Sequence, residues 1–79
     1  SVGLYTVQIA TPDADAFNAG VAQVRGASGV RTAGIRSTAI GGTSVLTVGF
    51  EGSIDQLAAA LRSQGFTVRQ ANNALSVSR

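Results

Sequence analysis

Very few residue types in this sequence could act as a nucleophile, a base or a metal ligand. Its 79 residues include no cysteine and no histidine, so no thiolate or imidazole is available for a catalytic or metal site. A base would have to be one of the four carboxylates Asp13, Asp15, Glu51 and Asp55. Three of them lie at predicted helix starts, and Glu51 is expected to be a solvated turn residue. The sequence therefore predicts a protein that is not an enzyme, with no catalytic residue and no cofactor.

The excess positive charge is small and spread along the chain. The formal net charge is +2 and the sequence pI is about 10.6, because all six basic residues are arginine. They stand at positions 25, 31, 36, 62, 69 and 79. Phosphate binding favours basic residues clustered on one face, so no nucleic-acid partner is expected. The apolar stretches are also far shorter than the roughly 20 residues of a membrane span.

The first half of the chain predicts a strand, a helix and a second strand. Alternating residues from Leu4 to Ala10 are typical of a half-buried strand. Thr11-Pro12 predicts an N-cap with proline at the first helical position, followed by Asp13 and Asp15 in the first turn. The helix is expected to end before Gly29, where the next strand follows.

A β-hairpin is predicted in the middle of the chain. Its strands are expected from Val30 to Ala39 and from Ser44 to Glu51. Gly41-Gly42 is a turn signal that allows positive φ at both positions. The hairpin therefore places the second and third strands side by side.

The second half predicts a helix, a strand and a short terminal ribbon. Ser53 and Gln56 have the spacing of a capping box, and Gly65 followed by an apolar residue is typical of a helix end. A fourth strand is expected from Phe66 to Ala71. Asn72-Asn73 then predicts a turn into a fifth strand from Leu75 to Ser78.

The order β-α-β-β-α-β predicts one ferredoxin-like α+β domain, with two helices on one face of an antiparallel sheet and a C-terminal β-ribbon. We expect this domain, residues 1–79, to belong to a longer protein. The other sheet face is expected to be uncovered and to carry Thr6, Gln8, Thr32, Arg36, Thr38, Val45, Thr47, Thr67 and Arg69. As a candidate interaction surface for a protein partner or a second copy we select Gln8, Arg36, Thr47 and Arg69.

The segment from Leu4 to Ile9 superficially resembles the first strand of the RNA-recognition module. That family stacks bases on aromatic residues of its two central strands. Here the outward residues of the third strand are Val45 and Thr47. Tyr5 shares its face with apolar residues, so we expect a core tyrosine with its hydroxyl at the sheet edge.

Short segments also resemble the peptidoglycan-binding repeat domain of cell-division proteins. They are Tyr5-Thr6-Val7-Gln8-Ile9 and Val48-Gly49-Phe50. The resemblance implies, as one alternative, a cell-wall-binding role with Gln8 on the open face.

A broader resemblance, from Tyr5 to Val68, is to the heavy-metal-associated domain. Gly29-Val30 followed by Ala33 and Ile35 is similar to that family's entry to its second strand. Its second helix and fourth strand are matched from Leu57 to Phe66. This resemblance implies the fold and an ancestry.

The metal-binding loop of the heavy-metal-associated family carries two cysteines between the first strand and the first helix. The corresponding positions here are Ala10, Thr11, Asp13 and Ala16, so both thiolates are replaced. The sequence therefore predicts a degenerate metal site and no affinity for copper(I) or zinc. An unconventional metal-ion-binding domain stays open as an alternative.

The whole segment, including Thr11-Pro12-Asp13 and the closing Asn-Asn ribbon, also resembles the C-terminal domain of bacterial proteins that carry the heavy-metal-associated label. Longer members of that group are exported. The resemblance therefore implies a periplasmic or otherwise exported location.

Overall fold

The chain forms two helices and five strands in a computed structural model that describes residues 2–71 and 74–78. The strands are β1 (Val2–Thr11), β2 (Val30–Ser37), β3 (Gly42–Glu51), β4 (Thr67–Ala71) and β5 (Ala74–Ser78). The helices are α1 (Ala14–Arg25) and α2 (Ile54–Ser63). The predicted α+β class is confirmed. The predicted Asn72-Asn73 turn lies outside the described residues.

The strands form one mixed sheet in the order β2-β3-β1-β5-β4. β3 pairs antiparallel with β1 and β2, and β4 pairs antiparallel with β5. β1 and β5 run parallel, with Thr6 opposite Ala74 and Ile9 opposite Val77. The prediction of a wholly antiparallel sheet with an appended ribbon is therefore wrong at this pair.

The direction of β5 follows from the connections that precede it. Because β4 leads directly into β5 and the two pair antiparallel, they form a hairpin. In this hairpin β5 lies on the inner side, next to β1, and β4 becomes the edge strand. The alternation of buried and exposed residues along β5 fits this interior position in the sheet, since Leu75 is fully buried and Val77 is 2% exposed.

The core lies between the helices and one face of the sheet. It contains inward residues from β1, β3, β4 and β5 together with the apolar stripes of both helices. The fully buried members are Val7, Ile9, Val24, Leu46, Val48, Leu57, Leu61 and Leu75. Gly20 of α1 is buried because the Ile9 side chain lies directly against its Cα. The large apolar side chains therefore lie mainly on one side of the sheet.

The first helix begins two residues later than predicted. Thr11 is the last residue of β1, opposite Gly42, and Asp13 is the N-cap. The Ala16 N–H donates to Asp13 Oδ1 at 2.7 Å. The Thr11-Pro12 cap is therefore wrong, because the Thr11 hydroxyl is buried and bonded elsewhere, whereas the Asp13 carboxylate can meet the free N–H groups of the first turn. Asp15 does lie in that turn.

The second helix begins and ends as predicted. The Gln56 N–H donates to Ser53 Oγ at 3.3 Å, and the Ser53 N–H donates to Gln56 Oε1 at 2.8 Å. At the other end Gly65 has φ 95°, and the Phe66 N–H donates to Leu61 O at 3.3 Å. These bonds are a capping box and a Schellman motif, so both ends are fixed by local sequence.

Two glycines shape turns. The first helix stops at Arg25, before Gly29 as predicted; with φ 91°, Gly29 shapes the turn in which the Val30 N–H donates to Ala27 O at 3.2 Å. In the hairpin only Gly41 has positive φ, at 89°, whereas Gly42 begins β3. One left-handed residue suffices for this turn, so Gly42 is free to join the strand.

Candidate functional site

The candidate site is the sheet face that the helices do not cover. Alternation puts the residues between the buried positions of each strand on this face. They are Leu4, Thr6, Gln8 and Ala10 of β1; Thr32 and Gly34 of β2; Thr43, Val45, Thr47 and Gly49 of β3; Ser76 and Ser78 of β5; and Thr67 and Arg69 of β4. We call this set the open face.

Three of the four predicted interaction residues lie close together in the strand register. Gln8 of β1 is opposite Val45 on one side and Ser76 on the other, and Ser76 is opposite Arg69. These four residues form one row across four strands. Thr47, opposite Thr6, belongs to the neighbouring row. Gln8, Thr47 and Arg69 therefore belong to one continuous surface.

Arg36 is placed differently from the other three. It lies on β2, the opposite edge strand from β4. The register shifts between Ile35 and Ser37, so Arg36 is the extra residue of a β-bulge. A second shift between Val30 and Thr32 adds another bulge on the same strand. Bulges of this kind discourage another strand from pairing with an edge.

A depression of ≈ 310 Å³ lies at one end of the open face. Ala10 and the serines of β5 have short side chains here, and Thr43, Thr67 and Arg69 lie beside them. The strands bring these residues together, since Ala10 pairs with Thr43 and Thr67 pairs with Ser78. The depression is lined by Ala10, Thr43, Thr67, Arg69, Ser76, Val77 and Ser78.

A second depression of ≈ 330 Å³ adjoins the first. It is lined by Ala10, Pro12, Ala16 and Ser78, so the two share Ala10 and Ser78. It leads from the sheet toward the first turn of α1. We call the two depressions together the end groove; its sheet part carries Arg69 and hydroxyl groups, and its helix part is mainly apolar.

Arg69 is the charged side chain of the end groove. It is exposed, and it makes no hydrogen bond or ion pair with any residue that the structure describes. Asp13, next to Pro12, is already bonded to the Ala16 N–H. Glu51 lies at the other end of β3 from Thr43, about 27 Å away at ~3.4 Å per residue. Among the residues that the structure describes, the lining of the end groove therefore has a positive charge and no carboxylate.

Two buried hydroxyl groups fix the strand end beside the groove. Thr11 and Ser44 are fully buried; their hydroxyl oxygens are 2.9 Å apart. Thr11 Oγ1 donates to Ala39 O at 2.9 Å, and the Ala39 N–H donates to Ser44 Oγ at 3.0 Å. If Ser44 donates to Thr11, every group in the cluster has a partner. This pair, which we call the hydroxyl pair, holds the β2–β3 loop against β1.

The four degenerate metal-loop positions have separate roles. Thr11 belongs to the hydroxyl pair, and Asp13 caps α1. Ala10 and Ala16 line the end groove. In the part of the chain that the structure describes, no group of three or more acidic, cysteine or histidine residues is placed to hold a metal ion.

Tyr5 lies on the core side of the sheet, as predicted. Its ring packs against the core, and its hydroxyl donates to Gly52 O at 2.7 Å. The ring is therefore not part of the open face.

The end of the open face opposite the groove is apolar. Leu4 is 72% exposed and Val2 is 49% exposed. Their side chains and that of Thr32 lie over Gly49, which is buried although it belongs to the open face. This end therefore has exposed apolar side chains, whereas the groove end has Arg69 and hydroxyl groups.

Sequence reasoning missed Thr43 and the β5 residues of the groove. Ser76 and Ser78 alternate with the buried Leu75 and Val77, so the pattern could have placed both serines on the open face. It could not have put them beside Ala10, because that contact depends on the interior position of β5. The groove is therefore a property of strand order.

No helix in the described residues has the length and apolar character that a membrane crossing requires. Comparison of the chain with models of known families, with curated proteins and with solved structures finds no match.

Proposed function

We propose that this domain is a non-catalytic accessory module that binds a protein partner through its open face. The observation that supports the proposal is the difference between the two sides of the sheet. One side is closed by both helices around a single core. The other side combines an exposed Leu4 with Arg69, whose side chain has no partner among the described residues, and an apolar anchor and an arginine are typical of binding surfaces.

The size of the open face favours a weak or transient interaction. Five strands at ~4.8 Å spacing, two of them only five residues long, give a face of about 600 Å². A standard interface buries about 800 Å² on each partner. Contact through this face alone is therefore better suited to a reversible partner than to an obligate dimer.

We also infer that the fold is a variant of the ferredoxin-like arrangement. Without β5, the strand order would be β2-β3-β1-β4, which is the order expected for two interleaved βαβ units. In this interpretation the terminal hairpin inserts β5 between β1 and β4. A heavy-metal-associated ancestry, with the thiolate loop replaced, is compatible with the same order and with the separate roles of Thr11 and Asp13.

Photo-crosslinking in the host organism tests the proposed surface. A photoreactive amino acid is placed at Gln8 or Thr47 on the open face, and at Ala22 or Ala59 as exposed helix controls. We expect a discrete adduct from the open-face positions that weakens when Arg69→Gln is added. An adduct of twice the domain-containing chain's mass would show self-association in place of a different protein. Adducts from the helix positions alone, or from none, would contradict the proposal.

A further inference from the structure

We propose that the end groove binds a peptide carboxyl terminus, with the carboxylate at Arg69 and the last side chain, a small apolar one, against Pro12 and Ala16. This inference rests on the proposed function in one respect, since it assumes that the ligand belongs to a protein partner. It names which part of that partner the groove accepts.

The charge of the groove selects a carboxylate. Arg69 has no partner among the described residues, and its planar guanidinium can donate two parallel hydrogen bonds to a carboxylate. The described part of the groove lining contains no acidic residue that would repel an anion. Because Arg69 stands on β4, an edge strand, its side chain can turn toward a ligand without losing any bond to the described residues.

The hydroxyl groups of the groove suit the polar backbone of a peptide. Thr43, Thr67, Ser76 and Ser78 each supply a group that both donates and accepts. They stand on three strands around the short Ala10 side chain. A peptide end carries N–H and C=O groups beside its carboxylate, so several of these hydroxyls can be satisfied at once.

The apolar part of the groove suits a side chain next to the carboxylate. Pro12, Ala16 and Ala10 present methyl and methylene groups, and Arg69 lines the adjoining depression. In a terminal residue the side chain and the carboxylate are attached to the same Cα. An internal aspartate or glutamate has only an unbranched methylene chain next to its carboxylate, so it would fill only the sheet part.

The groove is held in shape before any ligand arrives. The hydroxyl pair fixes Thr11, which lies between the groove residues Ala10 and Pro12. Asp13 fixes the first turn of α1, which carries Ala16. A site whose walls are already ordered loses less entropy on binding.

NMR titration of the ¹⁵N-labelled chain with N-acetyl-alanyl-valine tests the proposal. We expect saturable shifts of the amides of Ala10, Thr43, Ser76 and Ser78. The same peptide with an amidated end should have an affinity at least about 10-fold lower, because the charge-assisted bonds are absent. Butyrate serves as a carboxylate without a peptide backbone, and it should bind more weakly than the acid peptide.

The matched variants are Arg69→Gln and Arg36→Gln, one on each edge strand. Arg69→Gln should lower the affinity for the acid peptide by about 10-fold or more. Arg36→Gln should leave this affinity unchanged. Each variant is expected to keep the spectrum of a folded chain, since neither side chain has a bond in the described structure. Ala16→Lys should lower the affinity for the peptide without changing the affinity for butyrate.

Three results would overturn the proposal: equal affinity for acid and amide, an unchanged affinity for the acid peptide in Arg69→Gln, or butyrate binding as tightly as the peptide. In each case an open-face crosslink could still be found, so the proposed interaction surface would survive. Conversely, peptide binding at Arg69 with no crosslink in cells would support the groove and remove the partner surface. The two proposals therefore fail separately.

Discussion

The two faces of the sheet are made from the same strands but obey different constraints. On the covered face, β1 and β3 contribute Val7, Ile9, Leu46 and Val48, all fully buried. On the open face the next residues of the same strands are threonine, glutamine, alanine, Gly49 and the half-buried Val45, with Leu4 as the exposed exception. The residue types of the covered face are therefore limited by the volume available in the core. Those of the open face are free of this limit and can be selected for binding a ligand.

The largest contrast is expected between two leucines. Leu61→Ala removes a fully buried side chain of α2 and should lower the free energy of unfolding by about 3 kcal/mol. Leu4→Ala removes the same atoms from a side chain that is 72% exposed and should change it by less than about 0.5 kcal/mol. Urea unfolding followed by circular dichroism measures both. Similar losses in the two variants would mean that the open face is packed in solution.

A smaller contrast is expected between two threonines. Thr11→Val removes one member of the hydroxyl pair, so that the buried Ser44 hydroxyl loses one of its two partners and Ala39 O loses a donor, at a cost of about 1–2 kcal/mol. Thr47→Val makes the same change at a half-buried position of the open face, where no side-chain hydrogen bond is lost. We expect Thr47→Val to be neutral or slightly stabilising, because valine favours strands.

If Thr11→Val proves neutral in the same unfolding measurement, the hydroxyl pair is not what holds the β2–β3 loop. Adding Ser44→Ala to Thr11→Val should then cost only the bond that the Ala39 N–H donates to Ser44 Oγ. If the pair acts as described, the double variant should lose less free energy of unfolding than the sum of the two single variants, because the bond between Thr11 and Ser44 can be lost only once.

The smallest effect on stability is expected at Arg69. Arg69→Gln should leave the unfolding free energy within about 0.5 kcal/mol of the parent, since the side chain is exposed and makes no bond with the described residues. The same substitution should weaken peptide binding by about 10-fold or more in the titration. A clear loss of stability would instead assign Arg69 to the fold and weaken its role in the groove.

Local signals made much of the fold predictable. The capping box of α2 needs only Ser53 and Gln56, and the Schellman end needs only Gly65 and its neighbours. The strands are similarly local, because alternation is visible in each segment. Element boundaries moved by only a few residues, as at β2, which ends at Ser37 instead of Ala39.

The parts that could not be predicted depend on contacts between distant segments. Thr11 and Asp13 are both good capping residues, and only the burial of Thr11 against Ser44 decides between them. The position of β5 depends on how the terminal hairpin meets β1. Since the end groove combines β1, β3, β4 and β5, no single stretch of sequence contains it.

The insertion of β5 also constrains the order in which the domain can be completed during synthesis. β4 joins the sheet through its pairing with β5. The strand that follows α2 therefore has no partner strand until residues 74–78 have been synthesised. Before that moment β1 also has an unpaired edge, with its partners Ala74 to Val77 still missing. Long-range pairing of this kind slows folding. We therefore expect the domain to fold after its last strand leaves the ribosome, and a nascent chain that stalls earlier would present two open edges to chaperones.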